Sequence, residues 1–487
     1  MNLIGYLSKN KIDPSSTAII NGNNVLTYSE FFEHISAFKE YFILSGIKNN
    51  SKIAVLSENN LNYVISVFAL WQLEAIPVLL NTRLIKDEII ELTKLSNCDF
   101  LLTETSFKYL ELGDSINTFY YPDIKSINAA AHLENKEINF EDTAVIIFTS
   151  GSTGKPKGVL LSFNNLIQSA LTGNQLFSHI KNDRWLASLP FYHIGGFSII
   201  MRALLNGLTL ILPDELNIEN IQNAIQKKHP THASFVSTQL KRLIKNDIKP
   251  NPELRHILLG GGFLDADLVY EALDKGWNVF KSYGSTETAS FVTALKPDEF
   301  KSKKESAGRA LIPNSILIVD ENHKLLKPNT TGEVAVKGKS VAKGYINNKE
   351  ETARKFRDDI YFTGDYGFVD GECFLFIEAR RNDLIVSGGE NINPYEVESA
   401  LLKHPLIMEA SVLGLEDKEW GCIAAAAIKT RDNKTIELDE LKLFLKDKLA
   451  GFKIPKKIFI VDNFPKTEMG KIQKEKLKEI ILKGLNI

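Results

Sequence analysis

Residues Thr149, Ser150, Gly151, Ser152, Thr153, Gly154, Lys155, Pro156, Lys157 and Gly158 follow one another without a break, a density of glycine, hydroxyl and ammonium groups suited to holding phosphate. The glycines open backbone conformations closed to other residues, so successive N–H groups can converge on an anion. Ser150, Ser152 and Thr153 add donors, while Lys155 and Lys157 add charge. The run is not a Walker loop, because Pro156 follows the Gly-Lys pair and Thr149 stands where that pattern has its first glycine. Taken alone, the segment also admits a plain surface loop.

A phosphate loop needs a fixed strand behind it, and the apolar run 144–148 supplies one. Further strands are predicted at 52–56, 76–80, 100–103, 208–212 and 256–259, with helices at 61–73 and 164–179 between them. This alternation predicts an α/β fold with largely parallel sheets. From about residue 306 the texture changes to short strands at 315–319, 332–336 and 373–376, which predicts a β-rich annex. A charged cluster at 378–383 precedes a new pattern: helix 394–402, strands 409–413 and 423–428, helix 438–449. The expected division is a large domain over 1–380 and a small α+β domain over 381–487.

Composition narrows the function classes. The chain has 487 residues, 44% hydrophobic and 24% charged, which is ordinary for a soluble globular protein. A net charge of −2 gives no reason to expect nucleic acid or an anionic membrane as partner. Cys98, Cys373 and Cys422 form no C-x-x-C pair, so neither a cysteine zinc site nor a disulfide framework is suggested, and a reducing cytoplasm fits. The first residues lack the marks of a secretory signal, and the apolar stretch 64–80 is interrupted by Gln72, Glu74 and Pro77, so no membrane span is expected. A homo-oligomer is left open.

Collected in order, the motifs resemble the adenylate-forming superfamily of acyl-CoA synthetases, firefly luciferase and peptide-synthetase adenylation domains. They are the loop 149–158, the Tyr-Gly-Ser-Thr-Glu-Thr run 283–288, the Tyr-Phe-Thr-Gly-Asp run 361–365, Arg380, the segment 388–398 and the Pro-Lys-Thr-Glu-Met-Gly-Lys-Ile run 465–472. Within that superfamily, segments 189–202, 237–242, 258–262 and 282–290 are most similar to the menaquinone-pathway branch that takes o-succinylbenzoate. The resemblance implies that a carboxylate attacks ATP to give an acyl-adenylate and pyrophosphate, and that coenzyme A then displaces AMP. ATP, Mg²⁺ and coenzyme A are the implied cofactors, and a small-molecule acid is the partner.

The same resemblance implies the site roles. Glu287 is the magnesium-associated carboxylate and Thr286 faces the α-phosphate. Asp365 accepts from the ribose hydroxyls, with Arg380 as a further donor. Gly260, Gly261 and Gly262 either let adenine lie near backbone, with Tyr283 as its stacking face and Gly284 following it, or form a plain tight turn. Lys471 is the essential cation of adenylation, lent by a mobile small domain. Gly388 and Gly389 face coenzyme A after that domain swings. The hinge position is Asn382, where many members carry Asp or Lys, and the usual glycine before the arginine is Ala379.

For the acid, His193 is either a gate near the carboxylate or a satisfied core histidine. Arg202, nine residues on, sits on a predicted apolar helix face and needs a counter-anion. It either reads the second carboxylate of the acid, with Ser198, Thr238, Gln239, Thr288 and Ser290 adding polar contacts, or forms a structural salt bridge. Three rival functions remain at this level: a ligase for another acid, an adenylating enzyme serving a separate carrier protein, and a nucleotide-binding regulator.

Overall fold

The protein is described from a computed structural model, which covers residues 12–112, 115–122, 139–150, 156–261, 266–380, 385–387, 390–417, 421–431, 434–449, 451–467 and 470–485. Two large sheets and a layer of helices between them build the body of the molecule. The first sheet has six strands in the order Asn117–Tyr120, Phe100–Thr103, Lys52–Leu56, Ile76–Leu80, Thr143–Ser150, Pro156–Ser162. All of its pairs are parallel except the last, Thr143–Ser150 with Pro156–Ser162, which is antiparallel. Burial on both faces explains why these strands read as unbroken apolar runs.

The second sheet carries the parallel strands Val279–Ser285, His256–Leu259, His232–Phe235, Arg184–Leu186 and Thr209–Leu212, in that spatial order. Ser290–Leu295 and Gly308–Ala310 then extend it antiparallel, followed by Phe374–Arg380, Ile360–Val369, Gly332–Lys337 and Ser315–Val319. The expected annex is therefore no separate sheet: its strands continue the parallel one by hydrogen bonding, making 14 strands in all.

Between the sheets run Leu61–Gln72, buried at every position but Asn62, and Ile194–Leu205, buried at all but Gly195. A helix apolar all round has no solvent face, which is the pattern of a central layer. Trp71 settles its own polar atom within the layer, its indole Nε1 donating to the Ala144 carbonyl at 2.7 Å. Helix Phe163–Gly173 stops short of the predicted 164–179: Leu176 and Phe177 reach the core from the turn after it, which mimics continued helical spacing.

The rest of the described chain has its own sheet, Ile407–Asp417, Gly421–Thr430 and Lys457–Ile460, and a hairpin, Ile385–Ser387 with Glu390–Ile392. Helix Pro394–Leu402 opens where expected, because Asn393 caps it and Pro394 presets its first turn. Val397, Leu401, Val412, Ala426, Ile428 and Leu445 belong to a core distinct from those of the large body. Asn382, Gly388 and Gly389 lie outside the described residues. No helix among the described residues is long and apolar enough to cross a membrane.

Candidate active site

The residues singled out by motif gather at the carboxyl ends of the parallel strands, where open α/β sheets leave their crevice. Gly260 and Gly261 follow His256–Leu259, and the turn holding Thr286 and Glu287 joins Val279–Ser285 to Ser290–Leu295. Gly284 sits at a bulge between those two strands, where a Cβ would lie 2.0 Å from the Ser290 carbonyl oxygen, so no other residue fits. Gly262 falls outside the described residues.

On the nucleotide side the Tyr283 hydroxyl donates to Asp365 Oδ2 at 2.7 Å, which holds the carboxylate of a residue only 8% exposed. Asp365 stands in register opposite Arg380 across the antiparallel pair, whose side chain lies outside what is described. Next to Asp365, Gly364 takes a φ of +79° and donates its N–H to Glu333 Oε1 at 3.0 Å.

Of the phosphate-loop residues, Thr149 and Ser150 end a strand, whereas Gly151, Ser152, Thr153, Gly154 and Lys155 lie outside the described residues. Lys157 has a partner within the fold: its ammonium stands 2.5 Å from Glu351 Oε1. Glu351 also accepts both arms of Arg354, at 2.6 and 2.7 Å. Hydrogen bonding from Arg354, and then from Lys157, holds its carboxyl down to about 2.

Glu287 is 8% exposed, and its Oε1 accepts from the Tyr345 hydroxyl at 2.9 Å. No lysine or arginine pairs with it among the described residues, so this buried carboxylate is met by a neutral donor only. A hard cation with oxygen ligands fits that deficit. Segment 342–346 ties the Glu287 turn to strand Pro156–Ser162, Ala342 N–H donating to the Glu287 carbonyl and Ile346 N–H to that of Gly158. Tyr345 and Glu351 gave no motif signal, being ordinary residue types distant in sequence from the groups they touch.

The acid side centres on Arg202. It is 1% exposed in helix Ile194–Leu205, and Nη2 donates to Ser198 Oγ at 2.8 Å and Ser290 Oγ at 2.7 Å. Ser290 holds a φ of +114°, a strained conformation that brings its hydroxyl to the guanidinium. Nε and Nη1 have no hydrogen-bond partner, and the guanidinium packs 4.7 Å from the Phe291 ring centre. The expected alternative of a structural salt bridge is absent among the described residues. Burial lowers the arginine pKa to about 9, which leaves it charged at neutral pH.

His193 stands at the residue before the same helix, with its ring 4.8 Å from that of Tyr192. Gln239 and Thr288 both use polar atoms within the fold. Gln239 donates to the Ser188 carbonyl and accepts from Val236 N–H, closing the start of its own helix. The Thr288 hydroxyl is used by the backbone of Ser285 and Ser290.

The small C-terminal unit touches this side. Gly470, at φ +76°, packs so closely on Thr238 that a Cβ would meet its Cγ2 at 2.6 Å. Lys471 follows directly, in a turn where its carbonyl accepts from Thr467 N–H at 2.7 Å and its N–H donates to Thr467 Oγ1 at 3.2 Å.

A two-part chain with a nucleotide-type crevice at the strand ends and a glycine-lysine turn laid over it defines an adenylate-forming enzyme. The chain matches the AMP-binding enzyme family over residues 9–346 and the AMP-binding enzyme C-terminal domain over residues 396–471, and it belongs to that family. It is 36% identical over 468 residues to the 2-succinylbenzoate–CoA ligase of Bacillus licheniformis, covering 96% of this chain and 97% of that one. The o-succinylbenzoate CoA synthetase of Bacillus subtilis in complex with the acyl-adenylate intermediate OSB-AMP is 34% identical, with a TM-score of 0.89 and 97% coverage of both chains. With ATP and magnesium ion, that enzyme gives a TM-score of 0.88 over 97% of this chain and 99% of that one. A double mutant of it bound to the product analogue OSB-NCoA gives 0.73 at 34% identity, over 97% and 98%.

Proposed function

We propose that the chain joins o-succinylbenzoate to coenzyme A at the expense of ATP, as an AMP-forming ligase of the large 1–380 and small 381–487 domains acting in the cytoplasm. The observation that carries the substrate is Arg202, a buried guanidinium with two unpartnered nitrogens and no carboxylate of its own. A dicarboxylic acid supplies what is missing, since one carboxylate can be activated while the other meets Arg202 through charge-assisted hydrogen bonds. Likeness to ligases of that name over nearly the whole chain supports the same reading.

In the first step a carboxylate oxygen bonds to the α-phosphorus of ATP and the bond to pyrophosphate breaks. Lys471, brought over the crevice by the seat of Gly470 on Thr238, stabilises the charge that builds on the entering carboxylate and phosphate. Such a positioned cation contributes roughly 3–4 kcal/mol. Asp365, held by Tyr283, orients the ribose, Thr286 faces the α-phosphate and His193 closes the acid side. Glu287, oriented by Tyr345, would hold Mg²⁺, which when bound neutralises phosphate charge. In the second step the thiol sulfur of coenzyme A bonds to the acyl carbon and AMP leaves. For this the small domain must move Lys471 away, and Gly388 and Gly389 then face the thiol.

A pyrophosphate-release assay across a panel of acids tests the reading. A response to o-succinylbenzoate well above that to benzoate and succinate is expected. Preference for a monocarboxylate, or transfer to a carrier protein but not to coenzyme A, would overturn it.

A further inference from the structure

The amino ends of the same parallel strands, at the edge opposite the crevice, hold a second cluster that the ligase chemistry does not use. His232 and His256 begin adjacent strands and are register partners, and Trp185 is the register partner of His232 on the other side. The His232 ring lies 4.9 Å from His256, 5.0 Å from His179 and 4.9 Å from Trp185, on which it stacks. Asp183, 1% exposed, stands just before strand Arg184–Leu186.

Three imidazole nitrogens in this cluster are buried without a partner: His179 Nδ1, His232 Nε2 and His256 Nδ1. His232 is fully buried, so its orphan nitrogen has no solvent to turn to. A buried polar atom left unsatisfied needs an explanation. The other ring nitrogens supply one. His179 Nε2 bonds Asn174 Oδ1 at 3.1 Å and His232 Nδ1 bonds Thr231 Oγ1 at 2.8 Å. Fixing one nitrogen by a neighbouring oxygen while the other is left bare is how metal-binding histidines are oriented. Ligand atoms of His179, Asp183 and His232 all lie within 4.8 Å of one another.

We propose that His179 Nδ1, His232 Nε2 and one Asp183 oxygen form a binding site for a borderline divalent transition metal such as Zn²⁺, separate from the magnesium site and independent of the ligase reading. Two imidazoles and a carboxylate form a common zinc donor set that leaves a fourth position open. Tetrahedral bonds of about 2.0–2.1 Å put donors roughly 3.4 Å apart, so ligand atoms that now lie within 4.8 Å of one another must draw together on binding. The competing cation is Arg255, whose Nη2 holds both Asp183 oxygens at 2.8 and 3.0 Å. Asp183 Oδ2 also accepts from Ile180 N–H at 2.9 Å, so Oδ1, with Arg255 as its one partner among the described residues, keeps a second lone pair for a metal.

The test uses the full-length chain, stripped by a chelator and kept in excess Mg²⁺, titrated with Zn²⁺ against a chromophoric zinc chelator. One equivalent is expected to bind, at least tenfold more weakly in His179→Ala and His232→Gln, and severalfold more tightly in Arg255→Gln, where the competitor is gone. Co²⁺ should also quench the Trp185 share of the fluorescence in the wild type and not in His179→Ala. No retained zinc, or the same affinity in His179→Ala as in the wild type, overturns the site. If His232→Gln fails to fold, His179→Ala and Arg255→Gln decide the matter.

Discussion

Asp365 and Arg380 face each other as register partners on neighbouring antiparallel strands, and Arg380 is the last residue of the large body's sheet. The carboxylate assigned to the ribose and the point where the chain leaves for the small unit are thus one place.

Tyr283 is the support for that carboxylate, so the two positions should behave differently. Asp365→Ala is expected to raise the KM for ATP by at least a hundredfold, the scale of losing two hydrogen bonds to a charged group at about 1.5–3 kcal/mol each. Tyr283→Phe, which removes only the 2.7 Å bond, should raise it less than tenfold. Equal effects in steady-state kinetics would contradict this division.

Arg202 leads to two opposite expectations. Arg202→Met should raise the KM for o-succinylbenzoate by about a hundredfold, since a charge-assisted contact contributes about 1.5–3 kcal/mol. It should also raise the Tm of the unliganded protein, because an unpaired buried charge is replaced by an apolar chain of similar size. Calorimetry on both forms checks the second effect without any substrate.

Glu351 gives the pH dependence. Its folded pKa, about 2, is below the ordinary 4.5, so the folded state favours the ionised form. The stabilisation is whole above about pH 4.5 and drains away as pH falls towards about 2. In Glu351→Gln the Tm should be lower at pH 7 and should fall less steeply with acid than in the wild type. Parallel curves would remove Glu351 from the account.

Lys471→Ala is expected to slow pyrophosphate release by a hundred- to a thousandfold while leaving thioester formation from supplied acyl-adenylate within a few fold. Gly470→Val, with a side chain forced onto Thr238, should mimic the first effect in weaker form. Single-turnover measurements of each half-reaction separate the two.

Some of this was legible in the sequence for plain reasons. Strands 52–56, 76–80, 100–103 and 256–259 stand where predicted because parallel strands buried on both faces are continuous apolar runs. The continuation of the annex into the parallel sheet was not legible, because backbone pairing leaves no mark on residue type. Neither were Tyr345 beside Glu287 and Glu351 beside Lys157, partners separated by 58 and 194 positions. The carbonyls that meet Gln239 and Thr288 were equally invisible, since backbone acceptors carry no mark in residue type. The three clustered histidines were scattered over 78 positions and formed no spacing motif.

The 14-stranded ladder has a thermal consequence. A hydrogen-bonded array running from the strands beside Arg202 to Asp365 offers no seam along which to melt in pieces, whereas the carboxyl-terminal unit has a core of its own. Scanning calorimetry should resolve two endotherms, and a non-hydrolysable nucleotide should displace chiefly the one with the larger enthalpy.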